Sequence, residues 1–132
     1  MIIKPTTTHK RQVIDITERV QQSIGRGKID NGAVIISALH TTCAIAVAEL
    51  DPGTDKDLLD FLEALIPNID WRHSHDPGHV PAHLLSTLIG TSIALPVEKA
   101  KVTLGSWQSI VLIELDGPRD RETTLSLLSS KI

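Results

Sequence analysis

Cysteine, aromatic residues and long apolar runs are all scarce in this sequence of 132 residues. A single cysteine, Cys43, allows no internal disulfide, which predicts a reducing, cytoplasmic setting. Phe61, Trp71 and Trp107 are the only large aromatic residues, too few for a surface that stacks nucleic-acid bases. No apolar run reaches the roughly 18 residues of a membrane span, and the first residues lack the layout of a signal peptide. We therefore expect no membrane partner.

An excess of basic charge is also missing. The sequence has 13 Lys and Arg against 16 Asp and Glu, a formal net charge of −3. Non-specific nucleic-acid binding draws its affinity from neutralised phosphates and normally needs a basic excess, so we expect no nucleic-acid partner. The length and the 41% content of hydrophobic residues predict one soluble domain over residues 1–132, with a core that needs no disulfide or metal.

The spacing of apolar residues predicts two longer helices and one short helix. The first helix begins at Asp15, which has with Glu18 the N-cap and N3 spacing of a capping box. The second begins at Asp51-Pro52, and the short third helix begins at Pro81. The apolar face of the second helix is predicted to contain Leu58, Leu59, Phe61, Leu62, Leu65 and Ile66.

Short apolar runs between these helices predict strands. They cover residues 12–16, 33–39, 42–50, 92–97, 101–104, 109–115 and 122–128. Helices and strands do not alternate regularly, which predicts an α+β fold with a mixed, largely antiparallel sheet. The run Ser109–Ile113 is apolar on both faces, so we expect it at the centre of the sheet, covered on both sides.

Histidine is the residue type that stands out. Of six histidines, His73, His75, His79 and His83 fall within a short stretch, and His40 ends an apolar strand. Neutral imidazole binds zinc and related metals where three or more donors converge. The spacing matches no fixed zinc template, and the alternative is a set of exposed loop histidines with one or two satisfied in the core. So many titratable groups between structured elements nevertheless favour a site.

Two arginines two residues apart suggest a second feature of a site. If the chain is extended there, Arg119 and Arg121 project from one face and can grip a phosphate or carboxylate with two guanidinium forks. The alternative is a pair of surface arginines in ion pairs with Asp116, Asp120 or Glu122.

Trp107 and Glu49 each have two interpretations, and Cys43 has one. Trp107 either forms the wall of a pocket for a flat ring or lies in the core. Glu49 ends an apolar strand, where it either faces solvent or faces a site. Cys43 lies inside an apolar run, which predicts a buried, unreactive thiol.

Taken in order along the chain, several short segments resemble the YjbQ family. The matching segments are His40-Thr41-Thr42, Glu49, Trp71-Arg72-His73, Pro81-Ala82-His83, Gly90-Thr91-Ser92 with Pro96-Val97, Gly105-Ser106-Trp107-Gln108 and Gly117-Pro118-Arg119-Asp120-Arg121. No single segment is specific, but the ordered set is, and it runs from about Asp15 to about Arg121. The chain departs from the family at Ala48, where Asn is frequent, and at His79, where Asn or Asp is common.

The resemblance implies an α+β homotrimer with a pocket near the subunit boundary. The activity associated with the family is the joining of a pyrimidine diphosphate to a thiazole phosphate, a weak thiamine-phosphate synthase activity that leaves the physiological role open. The alternative is a non-catalytic homotrimer that binds a metal or a phosphorylated metabolite, and a third interpretation is a structural module with no pocket.

The resemblance also implies that the matched residues line this pocket, and each is assigned a role on that basis. The predicted catalytic residues are His40, Glu49 and His83. The predicted substrate-binding residues are Thr41, Trp107, Gln108, Arg119 and Arg121. The predicted ligands of a divalent metal, zinc or magnesium, are His40, His73 and His83, and the expected partners are further copies of the chain and a small phosphorylated metabolite.

Overall fold

Two antiparallel sheets form the framework of the protein. The computed structural model describes residues 1–131. The strands are β1 (Ile2–Ile3), β2 (Gln12–Asp15), β3 (Gly32–Ala38), β4 (Cys43–Ala48), β5 (Ser92–Glu98), β6 (Lys101–Val102), β7 (Ser109–Glu114) and β8 (Thr123–Ser129). Five of them form a sheet in the order β1-β8-β3-β5-β6, and three form a second sheet in the order β2-β7-β4.

Three helices complete the α+β architecture that the sequence predicts. They are α1 (Thr17–Gly27), α2 (Thr54–Ala64) and α3 (Val80–Ile89), and a short 3-10 helix, Pro77–His79, leads into α3. The α+β prediction is confirmed, and the strands are divided between two sheets rather than gathered in one. Within residues 1–131, no helix has the length and apolar character needed to cross a membrane.

Strand β7 lies between two hydrophobic cores. Ile110 and Leu112 face the core formed with α1 and the five-stranded sheet. Val111 and Ile113 face the other core, which α2 and α3 cover. Successive side chains of a strand point to opposite faces, and all four residues are at most 2% exposed. The prediction of a central strand covered on both sides is therefore confirmed.

The helix starts differ from the sequence prediction by a few residues. Asp15 caps α1 from outside the helix, because its Oδ1 accepts the N–H of Thr17 at 2.9 Å while Ile16 occupies the N-cap position. Helix α2 begins at Thr54 rather than at Asp51, since Gly53 adopts a φ of 92°, a left-handed conformation that glycine enters without steric cost.

Two residues of the predicted apolar face of α2 lie outside the core. Phe61 is 60% exposed and Leu65 is 47% exposed, whereas Leu62 is 6% exposed. Successive helical positions are about 100° apart, so the turn that directs Leu62 against the three-stranded sheet rotates Phe61 towards solvent. Leu65 follows the last residue of the helix, Ala64. The inclusion of Phe61 and Leu65 in the buried face was therefore wrong.

Candidate functional site

Three segments that follow or precede regular elements enclose an open pocket of about 720 Å³. Residues 39–42 follow β3, His79 and His83 lie at the start of α3, and residues 116–121 follow β7. Five residues of the predicted site line this pocket, along with His79: His40, Thr41, His83, Arg119 and Arg121.

A buried ion pair supports this pocket from below. Glu114 and Arg121 are 0% and 1% exposed, and Nε of Arg121 donates to Oε1 of Glu114 at 2.9 Å. Nη2 of Arg121 also donates to the carbonyl oxygen of Thr42 at 3.0 Å, and Thr7 donates its hydroxyl to Glu114 at 2.6 Å. Burial acts to raise the pKa of the Glu114 carboxyl, but hydrogen bonds from Arg121 and Thr7 bring that pKa below its ordinary value.

The expectation of two parallel arginine forks is wrong. The side chain of Arg119 is 51% exposed, with its Nε donating to the carbonyl oxygen of Asp116 at 2.9 Å and its Nη2 donating to Oδ2 of Asp116 at 3.2 Å. The guanidinium of Arg121 instead turns inward, where it pairs with the buried carboxylate of Glu114. Arg119 is therefore the arginine whose guanidinium remains accessible to a ligand, and it forms the alternative ion pair with Asp116.

The ring of His83 is oriented by the loop that follows β3. Its Nδ1 lies 3.2 Å from the carbonyl oxygen of Thr41. A carbonyl oxygen only accepts, so Nδ1 carries the hydrogen, and Nε2 of the neutral ring keeps its lone pair. His83 can therefore accept or return a proton through Nε2.

His40 has the same tautomer for a different reason. Its Nε2 accepts the backbone N–H of Glu122 at 2.8 Å, which leaves Nδ1 as the nitrogen that carries the hydrogen in the neutral ring. Burial lowers the pKa of His40, and the positive charge of Arg121 lowers that pKa further. His40 is thus a neutral hydrogen-bond donor at the edge of the pocket.

The remaining histidines of the cluster have distinct positions. The ring of His73 stacks on that of His83, with centroids 5.4 Å apart and planes 10° apart. Its Nδ1 accepts the backbone N–H of Asp76 at 3.1 Å and that of His75 at 3.3 Å. Nε2 of His79 lies 3.1 Å from Oδ2 of Asp76, and the exposed His75 touches the edge of the His73 ring.

The three predicted metal ligands do not fit one metal centre in this arrangement. Residues 1–131 of one chain contain no group of three or more His, Cys, Asp or Glu side chains placed to share a metal ion. His40 and His73 each already use one ring nitrogen to accept a backbone N–H, so the other nitrogen of each neutral ring is protonated. Binding of zinc or magnesium stays a prediction from the sequence.

Glu49 and Trp107 lie at the opposite end of the three-stranded sheet. The pairing of β4 with β7 joins Cys43 to Glu114 and Ala48 to Ser109, and these two pairs are separated by roughly 17 Å at about 3.4 Å per residue. Glu49 and Trp107 line a separate cavity of about 310 Å³ together with Asp15 and Asp51. One chain therefore divides the predicted site between two ends of one strand pair.

Trp107 and Gln108, which precede β7 at this end of the sheet, have different environments. Trp107 is 72% exposed, so the alternative interpretation of a core tryptophan is wrong. Oε1 of Gln108 accepts the N–H of Gly105 at 2.8 Å and closes the turn that carries Trp107.

Sequence reasoning missed the contribution of Glu114. The available signal was a carboxylate at the end of an otherwise apolar central strand, seven residues before an arginine. Cys43 is buried as predicted, and burial raises the pKa of its thiol to about 11, which keeps it protonated near neutrality.

Comparison of the sequence with known proteins gives consistent matches over nearly the whole chain. The family pattern described as "UPF0047 protein YjbQ-like" matches residues 1–130. A UPF0047 protein of Archaeoglobus fulgidus is 36% identical over 123 residues, which cover 92% of this chain and 95% of that protein. The UPF0047 protein YugU of Bacillus subtilis is 35% identical over 126 residues, which cover 92% of this chain and 93% of YugU.

Solved structures share the fold. A YjbQ/UPF0047 family protein from Clostridium acetobutylicum superposes with a TM-score of 0.90 at 31% identity, over 97% of this chain and 99% of that one. A hypothetical protein from Aeropyrum pernix superposes with a TM-score of 0.91 at 34% identity, over 98% of both chains. A YbjQ-like protein of unknown function from Sulfolobus solfataricus gives the same score and identity, over 98% of this chain and 96% of that one.

Proposed function

This chain belongs to the YjbQ-like UPF0047 family, and from that premise we propose that it binds a small phosphorylated metabolite in the pocket between β3, β7 and α3. One observation carries the proposal: Arg119 lines the same pocket as the two oriented histidines His40 and His83. A guanidinium matches the geometry of phosphate oxygens, and neutral N–H donors add hydrogen bonds without repelling a dianion.

Each residue of the pocket has a separate task in this proposal. Arg119 supplies the positive charge, and the Nδ1–H of His40 and the hydroxyl of Thr41 supply neutral donors. The Asp116 carboxylate holds Arg119 in place before the ligand arrives. His83, fixed through Nδ1, transfers a proton through Nε2.

The reaction that we propose is the one that the family resemblance implies. A pyrimidine diphosphate is joined to a thiazole phosphate, and the diphosphate departs as thiamine phosphate is formed. A departing diphosphate gains negative charge, and a proton delivered by His83 in its protonated form stabilises it. Support comes from the His83 ring, which is oriented through Nδ1 and lines the same pocket as Arg119.

A second candidate is binding of the phosphorylated metabolite without turnover. It is favoured by the distance between the two halves of the predicted site, since Glu49 and Trp107 do not line the pocket of the same chain. In one chain, the pocket holds groups that bind an anion and a single oriented base.

Assembly into a homotrimer supplies the missing half in our proposal. A cyclic trimer uses heterologous contacts, in which one end of each copy meets the other end of the next. One end of the chain carries Glu49 and Trp107, and the other carries His83 and Arg119, so a contact between opposite ends brings the two halves of the predicted site together. The pocket would then lie at the subunit boundary.

Calorimetry with inorganic phosphate tests the binding proposal. Because a charge-assisted bond to phosphate is lost, Arg119→Ala should weaken binding at least about tenfold relative to the wild type. The matched control is Arg26→Ala, an exposed arginine on α1 outside the pocket, which should bind as the wild type does. Equal phosphate affinity in Arg119→Ala and the wild type would overturn the proposal.

An assay of thiamine phosphate formation separates the two candidates. The enzyme proposal predicts product with the wild type and a loss of at least about a hundredfold in His83→Ala. Phosphate binding without any product, in the wild type as in the variant, would favour the binding protein.

A further inference from the structure

A second cavity adjoins the phosphate pocket on the other side of His83. It has a volume of about 520 Å³ and shares Thr41 and His83 with the first pocket. We propose that this cavity holds the apolar organic part of the phosphorylated ligand, so that the ligand is a phosphate monoester that spans His83. The inference rests on the proposed function, because it takes the phosphate group to lie at Arg119.

The two cavities differ in the chemistry of their walls. The phosphate pocket has Arg119, Asp116 and His40 in its wall. The adjoining cavity contains Arg72 and His73, but most of its exposed wall is apolar and includes the aliphatic side chains of Val80 and Leu84. A ligand with a charged end and an apolar end matches this pair of cavities, whereas inorganic phosphate fills only the first.

Leu84 is the more exposed of the two aliphatic side chains in the adjoining cavity. It is 48% exposed, whereas the next residue on α3, Leu85, is 5% exposed. An apolar group that covers Leu84 removes hydrocarbon surface from water, which strengthens binding in proportion to the area covered. Val80, one turn earlier on the same helix, extends this apolar wall.

The two stacked histidine rings of the adjoining cavity are held by contacts that a ligand need not form. His83 is oriented by the carbonyl oxygen of Thr41, and His73 is oriented by the backbone N–H groups of His75 and Asp76. Their nearly parallel rings, with centroids 5.4 Å apart, are therefore in place before binding. Little ordering remains to be done when the ligand arrives, which favours affinity.

Helix α3 itself is anchored against the sheet. The hydroxyl of Ser86 donates to the carbonyl oxygen of Cys43 at 2.6 Å, and Ala82 is 6% exposed. Leu84 directly follows His83 on this anchored helix, so the two residues have a fixed relative position. The apolar wall formed by Val80 and Leu84 therefore lies on a helix and not on a loop.

Calorimetry with three probes tests the inference: inorganic phosphate, methyl phosphate and phenyl phosphate. For the wild type we expect phenyl phosphate to bind on the order of tenfold more tightly than methyl phosphate, because the ring covers Leu84. Leu84→Ser should reduce this preference to below about threefold and leave the affinity for inorganic phosphate unchanged.

The matched control is Leu88→Ser. Leu88 lies one turn further along α3 and is 72% exposed. It lines the groove with Leu65 and Trp71, which Leu84 also borders, but it does not line the adjoining cavity. The preference for phenyl phosphate should be the same in Leu88→Ser as in the wild type. Thermal unfolding of both variants checks that each is folded, which their exposed positions lead us to expect.

The outcomes distinguish this inference from the function on which it rests. If the wild type binds inorganic phosphate but shows no preference for phenyl phosphate, the second cavity is not a ligand site and the phosphate pocket stands. An equal loss of preference in Leu84→Ser and Leu88→Ser also overturns the inference. If the wild type binds none of the three probes, both the proposed function and the inference fail.

Discussion

Nδ1 of His83 lies 3.2 Å from the carbonyl oxygen of Thr41, and this contact joins the start of α3 to the loop that follows β3. The same loop is held from below, because Arg121 donates to the carbonyl oxygen of the next residue, Thr42. The orientation of the His83 ring therefore depends on the buried ion pair of Arg121 with Glu114. The buried side chain of Arg121 thus positions the ring of His83, which faces the pocket.

Imidazole tautomers provide the most direct check of these contacts. At about pH 8, above the ordinary histidine pKa of about 6.5, we expect His40 and His83 to carry the hydrogen on Nδ1 and His73 to carry it on Nε2. Each assignment follows from the backbone group that the ring contacts. Long-range proton–nitrogen NMR correlations distinguish the two forms, with single His→Gln variants for assignment. A hydrogen on Nε2 of His83 would contradict its contact with Thr41.

The lowered pKa of His40 predicts a pH dependence of stability. Between its folded pKa and the ordinary value of about 6.5, the unfolded chain binds more protons at this residue than the folded chain does. The stabilising contribution is therefore complete above pH ~6.5 and is lost as the pH falls through the folded pKa. His40→Gln, which keeps an acceptor for the N–H of Glu122, should lose less stability than the wild type between pH 7.5 and 5.5.

Urea unfolding at the two pH values measures this difference. The other five histidines are present in both proteins, so their titration cancels in the comparison. An equal loss of stability in the wild type and His40→Gln would show that the ring is not held in its neutral form.

The buried pair of Glu114 and Arg121 should dominate the polar contribution to stability. Arg121→Met leaves a carboxylate in the core without its cation, and we expect the free energy of unfolding to fall by about 3–5 kcal/mol. The double variant Glu114→Gln, Arg121→Met should lose less than the single variant, because no charge then remains buried. Urea denaturation near neutral pH provides these values.

Arg119→Met is the matched control for that measurement. It removes an arginine two residues away whose ion pair with Asp116 is half exposed, and such pairs contribute at most about 1 kcal/mol. If Arg119→Met and Arg121→Met lower the free energy of unfolding equally, the buried pair contributes no more to stability than the pair of Arg119 with Asp116.

Within residues 1–131, pattern alone predicted the three α-helices and seven of the eight strands, but not the short strand β1 or the inward turn of Arg121. The unbroken apolar run of β7 identified a strand covered on both sides, since only a central strand requires apolar residues on both faces. The rule that residues two apart share a face holds only in an extended strand, and Arg119 and Arg121 lie outside the regular strands. The side chain of Arg121 is directed by Glu114, seven residues earlier, and that attraction depends on how the chain returns over β7.

The sequence also did not predict that the candidate site is divided between the two ends of the β4–β7 strand pair. Glu49 and His40 lie nine positions apart, which suggests proximity, but strand β4 runs between them and carries them to opposite ends. Antiparallel pairing then brings Trp107, just before β7, next to Glu49, and Glu114, at the end of β7, next to Thr42. The register of a non-local pair of strands is decided by the whole core, and neither segment encodes it alone.

The exposed Trp107 leads to a prediction about assembly. An indole that is 72% exposed beside three carboxylates is an uncommon surface group for an isolated chain, and aromatic residues are enriched in the centres of protein interfaces. If this end of one copy meets the end of the next copy that carries His83 and Arg119, as we propose, Trp107→Glu places a buried charge in each subunit contact of the trimer. Light scattering should then give three chains of 14.4 kDa for the wild type and one for the variant.

Phe61→Glu is the control for this prediction, because Phe61 is 60% exposed but lies on α2, outside both ends of the strand pair. We expect this variant to assemble as the wild type does. Dissociation by Phe61→Glu with an intact assembly in Trp107→Glu would place the contact on the helical face, and the two halves of the site would then never meet. Loss of thiamine phosphate formation in parallel with dissociation, at unchanged stability of the single chain, would tie the assembly to the chemistry, since in our proposal the trimer brings Glu49 of one copy to His83 of the next.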